Sequence, residues 1–303
     1  MTSAVAQMRA PASRGSGTRL SRRFKVSATT ALLILAAAFV VVPIYWLVIA
    51  SSKNTSQLFA TQTFLPPSHL SWVANFKSLF SYGGAYFGWW LLNSFIYSTV
   101  TASLATAVST LCGYGLAKYN FKARGAILGL VLGSFVVPST ALVLPIFLLE
   151  HYIGLTNSYE GVILPLVVYP FGVYFMSIYC TDAVPDTLMD SSRMDGAGEL
   201  RTFWQIARPI LMPGMVTLFL LSFIGTWNNF FLPLVLLGSE KLFPVTVGLS
   251  AWSSALNIAG AGQPLYPEVI LGSLVSVLPM LVLFPFLQKY VARGLTFGAV
   301  AGE

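Results

Sequence analysis

Charge is scarce in this sequence. Of 303 residues only 9% are Asp, Glu, Lys or Arg, where an ordinary soluble domain has about a quarter. Histidine and cysteine occur twice each. His69 and His151 have no partners at metal-ligand spacing. Cys112 and Cys180 fall in or beside apolar stretches and read as small buried hydrophobes, not as ligands or a disulfide framework. No G-x-x-x-x-G-K-[ST] phosphate loop occurs, so nothing in the chain cradles nucleotide phosphates. No nucleophile–base pair stands out either, so no catalytic residue and no metal site is assigned. Ionisable residues are also missing from the interior of every long apolar run, with Glu150, His151 and Glu268 only at the ends. Ion-coupled carriers use such charges as relays or ligands, so their absence argues against that class.

What is abundant is apolar surface: 56% of the residues are hydrophobic, more than a water-soluble fold covers. Six runs, 27–50, 90–117, 126–149, 161–180, 214–237 and 269–288, each approach the roughly 20 residues that a bilayer-crossing helix needs. They lack the alternation of a membrane barrel. The expected fold class is all-α integral membrane with six transmembrane helices. The first run follows Arg22, Arg23 and Lys25 as a signal peptide does, but it exceeds the usual apolar stretch of 7–15 residues; it is read as a retained helix. Residues 1–26 read as an irregular cytosolic arm and 27–303 as one membrane domain.

Loop charge sets an expected orientation. Fourteen of the 17 basic residues lie in the N-terminal arm, the loops near Lys118 and Arg201, and the tail; only Lys53, Lys77 and Lys241 lie on the other side. Positive-inside bias then places both termini in the cytosol. The net charge of +7 is a topology signal and gives no reason to invoke nucleic acid.

The runs are interrupted by Pro43, Pro138, Pro145, Pro165, Pro170, Pro233, Pro279 and Pro285, as in the broken helices of transporters, although proline is also common in membrane helices generally. Gly125, Gly129 and Gly133 share a helix face and suit close helix contact. Two polar stripes stand out. Thr99, Ser103, Thr106 and Thr110 share one face of the second run; Ser222, Thr226 and Asn229 share one face of the fifth. They suit a hydrated path for a neutral polar solute. The competing reading is that their hydroxyls bond carbonyls of their own or an adjacent helix.

The segment 182–213 carries Asp182, Asp186, Asp190, Asp195 and Glu199. Pro185 suits a first helical turn, Asp195-Gly196 reads as a break between two helices, and Leu200, Phe203, Trp204 and Ala207 form an apolar stripe at helical spacing. Pro209 is expected to end the second helix and Pro213 to mark re-entry into the membrane. Without a partner, this helix–turn–helix reads as an amphipathic surface segment.

The run from Val184 to Pro213 resembles the EAA loop of binding-protein-dependent ABC importer permeases, with Asp195, Gly196, Ala197, Phe203, Pro209 and Pro213 at matching places. Asp190, Ser191 and Ser192 stand where that pattern has Glu-Ala-Ala. Asn93-Ser94, the run 113–117 (Gly-Tyr-Gly-Leu-Ala), Trp227-Asn228-Asn229-Phe230 and the tail 293–300 are similar to carbohydrate-type permeases, the tail to the maltose-transporter-type second permease. The resemblance implies the type I ABC importer permease fold. It also implies a second permease, an ATPase dimer that holds ATP and Mg while this chain holds no cofactor, an external solute-binding protein, and a sugar or related solute. It further implies that Asp190, Ser191, Ser192, Asp195, Gly196, Ala197, Phe203, Trp204 and Pro209 couple to the ATPase. Thr99, Ser103, Thr106, Ser222, Thr226 and Asn229 are then candidates for the translocation path. The outer segment 242–263, with Trp252, Ser253 and Gly260, is expected to touch the binding protein. A stand-alone channel is the alternative, but it has no use for an acidic helix–turn–helix on its cytosolic face.

Overall fold

The computed structural model describes residues 17–256 and 265–300. Among them every regular element is helical. In chain order these are α1 (Gly17–Ser51), α2 (Thr55–Ala60), α3 (Trp72–Ser81), α4 (Tyr86–Lys118), α5 (Arg124–Gly133), α6 (Ser139–Ile153) and α7 (Tyr159–Val167). After them come α8 (Pro170–Ala183), α9 (Asp186–Met194), α10 (Glu199–Thr202), α11 (Arg208–Trp227), α12 (Phe231–Leu236), α13 (Val245–Ala255) and α14 (Tyr266–Val300).

Four described helices are long and apolar enough to cross a bilayer, and two bent helix pairs bring the number to six if each pair makes one span. The third apolar run is not one straight span. It breaks between Val136 and Ser139, and α5 and α6 meet at 105°. The physical reason is Pro138, which has an extended backbone and forces Val137 out of helical geometry as well. The fourth run bends by 41° at Val168 and Tyr169, just before Pro170, the first residue of α8. The fifth run ends early, at Trp227 capped by Asn228, and Phe231–Leu236 forms a separate short helix. At the other end α1 begins at Gly17, so ten residues of the expected irregular arm are helical.

The centre of the bundle is α4, which packs on α8, α11 and α7. Its inner face is small: Ala102, Ala105, Ser109 and Gly113 are buried. Gly113 is pressed so closely on Met176 and Ser177 that an added Cβ would lie 2.6 Å from Met176 Cβ. Close packing of this kind is the main cohesive term between helices in lipid, where apolar burial from water no longer drives association. Around that axis sit two clusters at opposite ends of α4, one of Leu79, Phe87, Trp90, Trp227 and Trp252 and one of Tyr114, Met176, Met189, Phe203 and Leu211.

Two packing expectations fail. Gly125, Gly129 and Gly133 meet no atom within 4 Å of an added Cβ, and α5 buries no residue; the small-residue face is open in this chain. Cys180 is buried as expected, but Cys112 is exposed, because it lies on the face of α4 turned away from α8 beside exposed Leu111.

Candidate coupling loop and solute-facing surfaces

The helix–turn–helix of residues 182–213 forms with its break where the sequence puts it. Helix α9 ends at Met194, and Gly196 has φ +74°, a left-handed backbone that glycine adopts without strain. The interior of the hairpin is polar and fully paired. Ser192 is buried; its hydroxyl donates to the Met189 carbonyl (2.8 Å) and lies 2.9 Å from the Thr202 hydroxyl. Since the Ser192 proton is already used, Thr202 is the donor in the second bond. Ser191 stays outside and caps the Thr187 carbonyl (2.8 Å).

The predicted apolar stripe is divided. Phe203 and Ala207 are buried, whereas Leu200 and Trp204 are exposed. Residues Phe203–Ala207 form a wide π turn, in which the Arg208 N–H bonds back to the Phe203 carbonyl five residues earlier. Wide turns accommodate a missing donor, and the missing donor here is Pro209. The helix therefore does not stop at Pro209, nor does Pro213 mark a fresh start: Glu199–Trp227 is one continuous helical rod. Of the two candidate anchors, Phe203 belongs to the chain's own core, its ring 5.0 Å from that of Tyr114. Trp204 points outward with the Arg208 guanidinium 5.2 Å above its ring. Met194 is 88% exposed and Leu200 77%, so the loop leaves the apolar side chains of Met194, Leu200 and Trp204 exposed.

The acids are partly engaged within the chain. Asp190 pairs with Arg193 at 3.4 Å, and Arg193 reaches Glu199 at 3.0 Å. Asp186 takes Lys118 at 2.8 Å. The hydrogen bond from Lys118, and its charge, hold the Asp186 carboxyl below the ordinary range. Asp195 and Ala197 lie at the turn; the Ala197 N–H bonds the Ser192 carbonyl (3.0 Å).

The two hydroxyl stripes do not form a polar channel within this chain. Thr99 lines an apolar groove of about 620 Å³ with Phe95, Phe219, Phe223, Trp227 and Val275. Ser103 is exposed, but its hydroxyl bonds the Thr99 carbonyl (2.7 Å). Thr106 and Ser222 are buried. Thr226 and Asn229 are half-buried, and the Asn229 carbonyl accepts the Thr246 hydroxyl (2.9 Å). At the other end of α4 from the hairpin, Trp252 is buried against Trp90 (4.6 Å between rings) and Tyr82. It is a core residue and not a free contact, because Gly83 and Gly248 give the indole rings room. Ser253 is exposed; Gly260 lies outside the described residues.

A family profile described as "Binding-protein-dependent transport system inner membrane component" matches residues 105–297. This match contains the hairpin and all helices from the middle of α4 onward. The chain belongs to this family. Members are permease subunits of ABC importers, non-catalytic membrane components, and this chain is one of them. It is 37% identical over 92% of its length to the arabinooligosaccharides transport system permease protein AraQ of Bacillus subtilis (strain 168), covering 96% of that protein. It is 28% identical, over 92% of this chain and 97% of the other, to the lactose transport system permease protein LacG of Rhizobium radiobacter. A crystal structure of a bacterial ABC transporter involved in the import of the acidic polysaccharide alginate contains a chain of the same fold. Its TM-score is 0.79 at 22% identity, covering 89% of this chain and 97% of that one. The type I permease fold and the inner-membrane location follow.

What the sequence misses is the grip on the hairpin from α4. In the sequence Tyr114 enters only through the resemblance of 113–117 and Lys118 only as a loop charge, and Tyr119 is assigned nothing. Their signal was an aromatic–basic–aromatic cluster at i, i+4, i+5 just before a predicted cytosolic loop.

Proposed function

We propose that this permease imports a saccharide, together with a second permease, two ATPase subunits and an external binding protein. The observation that carries the coupling part is the exposure of the apolar side chains Met194, Leu200 and Trp204 on a hairpin whose two arms are joined by the buried Ser192 and Thr202 hydroxyls. Large exposed apolar groups on a loop that basic residues mark as cytosolic call for a protein partner. The ATPase subunit is that partner; it supplies ATP and Mg, while this chain binds neither. Asp190, Ser191, Asp195, Gly196, Ala197 and Pro209 frame the docking surface and Trp204 is its anchor. Phe203 and Ser192 support it from inside.

The saccharide assignment rests on relatives named for arabinooligosaccharide, lactose and trehalose transport. The charge-free spans agree with it. Thr99, Ser103, Thr226 and Asn229, which keep some surface open, face the path. Thr106 and Ser222 pack beside it. The second permease completes the path, and both termini lie in the cytosol. Ser253 and the segment through Gly260 meet the binding protein. A relative named for sn-glycerol-3-phosphate transport gives the competing substrate class. Uptake by the whole complex across a panel of labelled mono- and oligosaccharides, with glycerol 3-phosphate as a further arm, tests the reading. ATP-dependent accumulation of a saccharide supports it; accumulation of glycerol 3-phosphate alone overturns the substrate class.

A further inference from the structure

Helix α4 differs from the other long helices. Among the described helices of twenty residues or more, α1, α11 and α14 each contain proline, at Pro43, Pro213, and Pro279 with Pro285. Helix α4 has 33 residues and no proline. At 1.5 Å per residue it is about 50 Å long, enough to reach from one face of the bilayer past the other. Sharp kinks arise mostly at proline, so α4 lacks the commonest cause of a break between its two ends.

Both of its ends are fastened to other segments by side chains. At the cytosolic end, Lys118 Nζ donates to Asp186 Oδ1 at 2.8 Å and to the Val184 carbonyl. The Lys118 side chain is only 4% exposed, so its charge is committed to this contact. Tyr119 donates its hydroxyl to Glu199 Oε2 at 2.6 Å. The Tyr114 ring lies against Phe203. These three residues hold both arms of the coupling hairpin, α9 through Asp186 and α10 through Glu199.

At the outer end four buried side chains serve the backbone of one short segment. Trp90 Nε1 donates to the Glu240 carbonyl (2.8 Å) and Asn93 Nδ2 to those of Lys241 (2.7 Å) and Phe243 (3.1 Å). Tyr97 donates to the Leu242 carbonyl (2.9 Å), and Ser94 accepts the Val245 N–H (2.8 Å). Residues 240–245 contain only a single tight turn of their own; α4 satisfies the groups that a helix or sheet would satisfy elsewhere. That segment leads directly into α13, so the start of α13 hangs on α4.

We infer that α4 is the rod that transmits movement of the coupling hairpin to the outer segment 240–255, with Lys118 and Tyr119 as positioning residues at one end and Asn93, Ser94 and Tyr97 at the other. The inference rests on the coupling role proposed above. It requires that a displacement of α9 and α10 carries the end of α4 with it, because Lys118 cannot leave Asp186 without burying an uncompensated charge. It also requires that α4 carry 240–245, because Asn93, Ser94 and Tyr97 are buried and releasing that segment would strand their donors and acceptor.

The test uses the whole importer in lipid nanodiscs, with exposed Cys112 replaced by serine and an environment-sensitive fluorophore on S254C at the outer face. The readout is the probe's response to ATP in the presence of loaded binding protein. In the Lys118→Met, Tyr119→Phe double variant the ATPase still co-purifies and basal hydrolysis persists. The probe response falls about tenfold, the size of a typical coupling between distant sites. Lys118→Arg, which keeps the charge and the donors, retains the response. Should the double variant fail to assemble, Ser94→Ala with Tyr97→Phe breaks the other end and must give the same loss. A wild-type response in any assembled breaking variant overturns the rod. An ATPase that does not co-purify with the wild-type chain overturns the coupling role as well.

Discussion

The hydroxyls of Ser192 and Thr202 meet at 2.9 Å inside the hairpin of α9 and α10 and join its two arms. Both residues are buried, and the bond spans the turn at Gly196. Serine at this position therefore works inward, holding the shape that the outer surface of the hairpin depends on. A buried hydroxyl left without a partner costs about 1–3 kcal/mol. Ser192→Val strands the Thr202 hydroxyl and should lower the melting temperature of the purified complex. It should also expose the loop to protease near Gly196. Ser191→Val, on the exposed side, should change neither.

Gly196 sits at φ +74° with open space around it. The constraint is backbone conformation and not crowding. Gly196→Val forces a β-branched residue into left-handed geometry at a cost of roughly 1–2 kcal/mol. Gly196→Asn costs less, because asparagine visits that region readily. Binding-protein-stimulated ATP hydrolysis should drop markedly in the valine variant and remain near wild type in the asparagine variant.

Adjacent aromatics in the hairpin should behave differently. Phe203 is packed against Tyr114, and Phe203→Ala removes a core ring at about 3–5 kcal/mol; the expected outcome is poor yield or a low melting temperature of the chain itself. Trp204 is 55% exposed, so Trp204→Asp should leave insertion and yield intact while the ATPase is lost on purification. Size-exclusion chromatography of the two variants separates the outcomes.

The Lys118–Asp186 pair carries a pH signature. Lys118 holds the Asp186 carboxyl below its ordinary range. Its contribution is fully present above the unfolded aspartate value of about 3.9 and is lost as pH falls through the lowered folded value. The melting-temperature difference between wild type and Asp186→Asn should stay constant from pH 8 down to about pH 5 and shrink only below about pH 4. A difference that grows on acidification would reverse the sign and contradict the pairing.

Much of the membrane architecture was legible because it depends on composition. Runs such as 90–117 and 269–288 are apolar enough that lipid is their only suitable solvent. Glycine at 196 announced its turn because few other residues fit there. Proline was harder to read. Pro138 does break its run, through Val137 and its own extended backbone, but Pro209 does not end its helix, because a wide turn at Phe203–Ala207 absorbs the missing donor. The stripe of Leu200, Phe203, Trp204 and Ala207 is divided along its length, with the i, i+4 pair Phe203 and Ala207 buried and the pair Leu200 and Trp204 exposed. Trp252 resembled a loop aromatic, yet long-range packing against Trp90 and Phe87 buries it. The clasp of Lys118 on Asp186 joins residues 68 apart in the chain, and the local cluster at 114–119 does not say which residue it meets.

The most direct measurement is substrate-stimulated ATP hydrolysis by the assembled importer in proteoliposomes, with wild-type, Gly196→Val and Trp204→Asp chains compared at equal permease content. Coupling through the hairpin predicts that wild type shows stimulation, that Trp204→Asp loses the co-purifying ATPase, and that Gly196→Val inserts normally but shows little stimulation. Wild-type assembly and wild-type stimulation in both variants would contradict the assignment of this hairpin as the ATPase-coupling element.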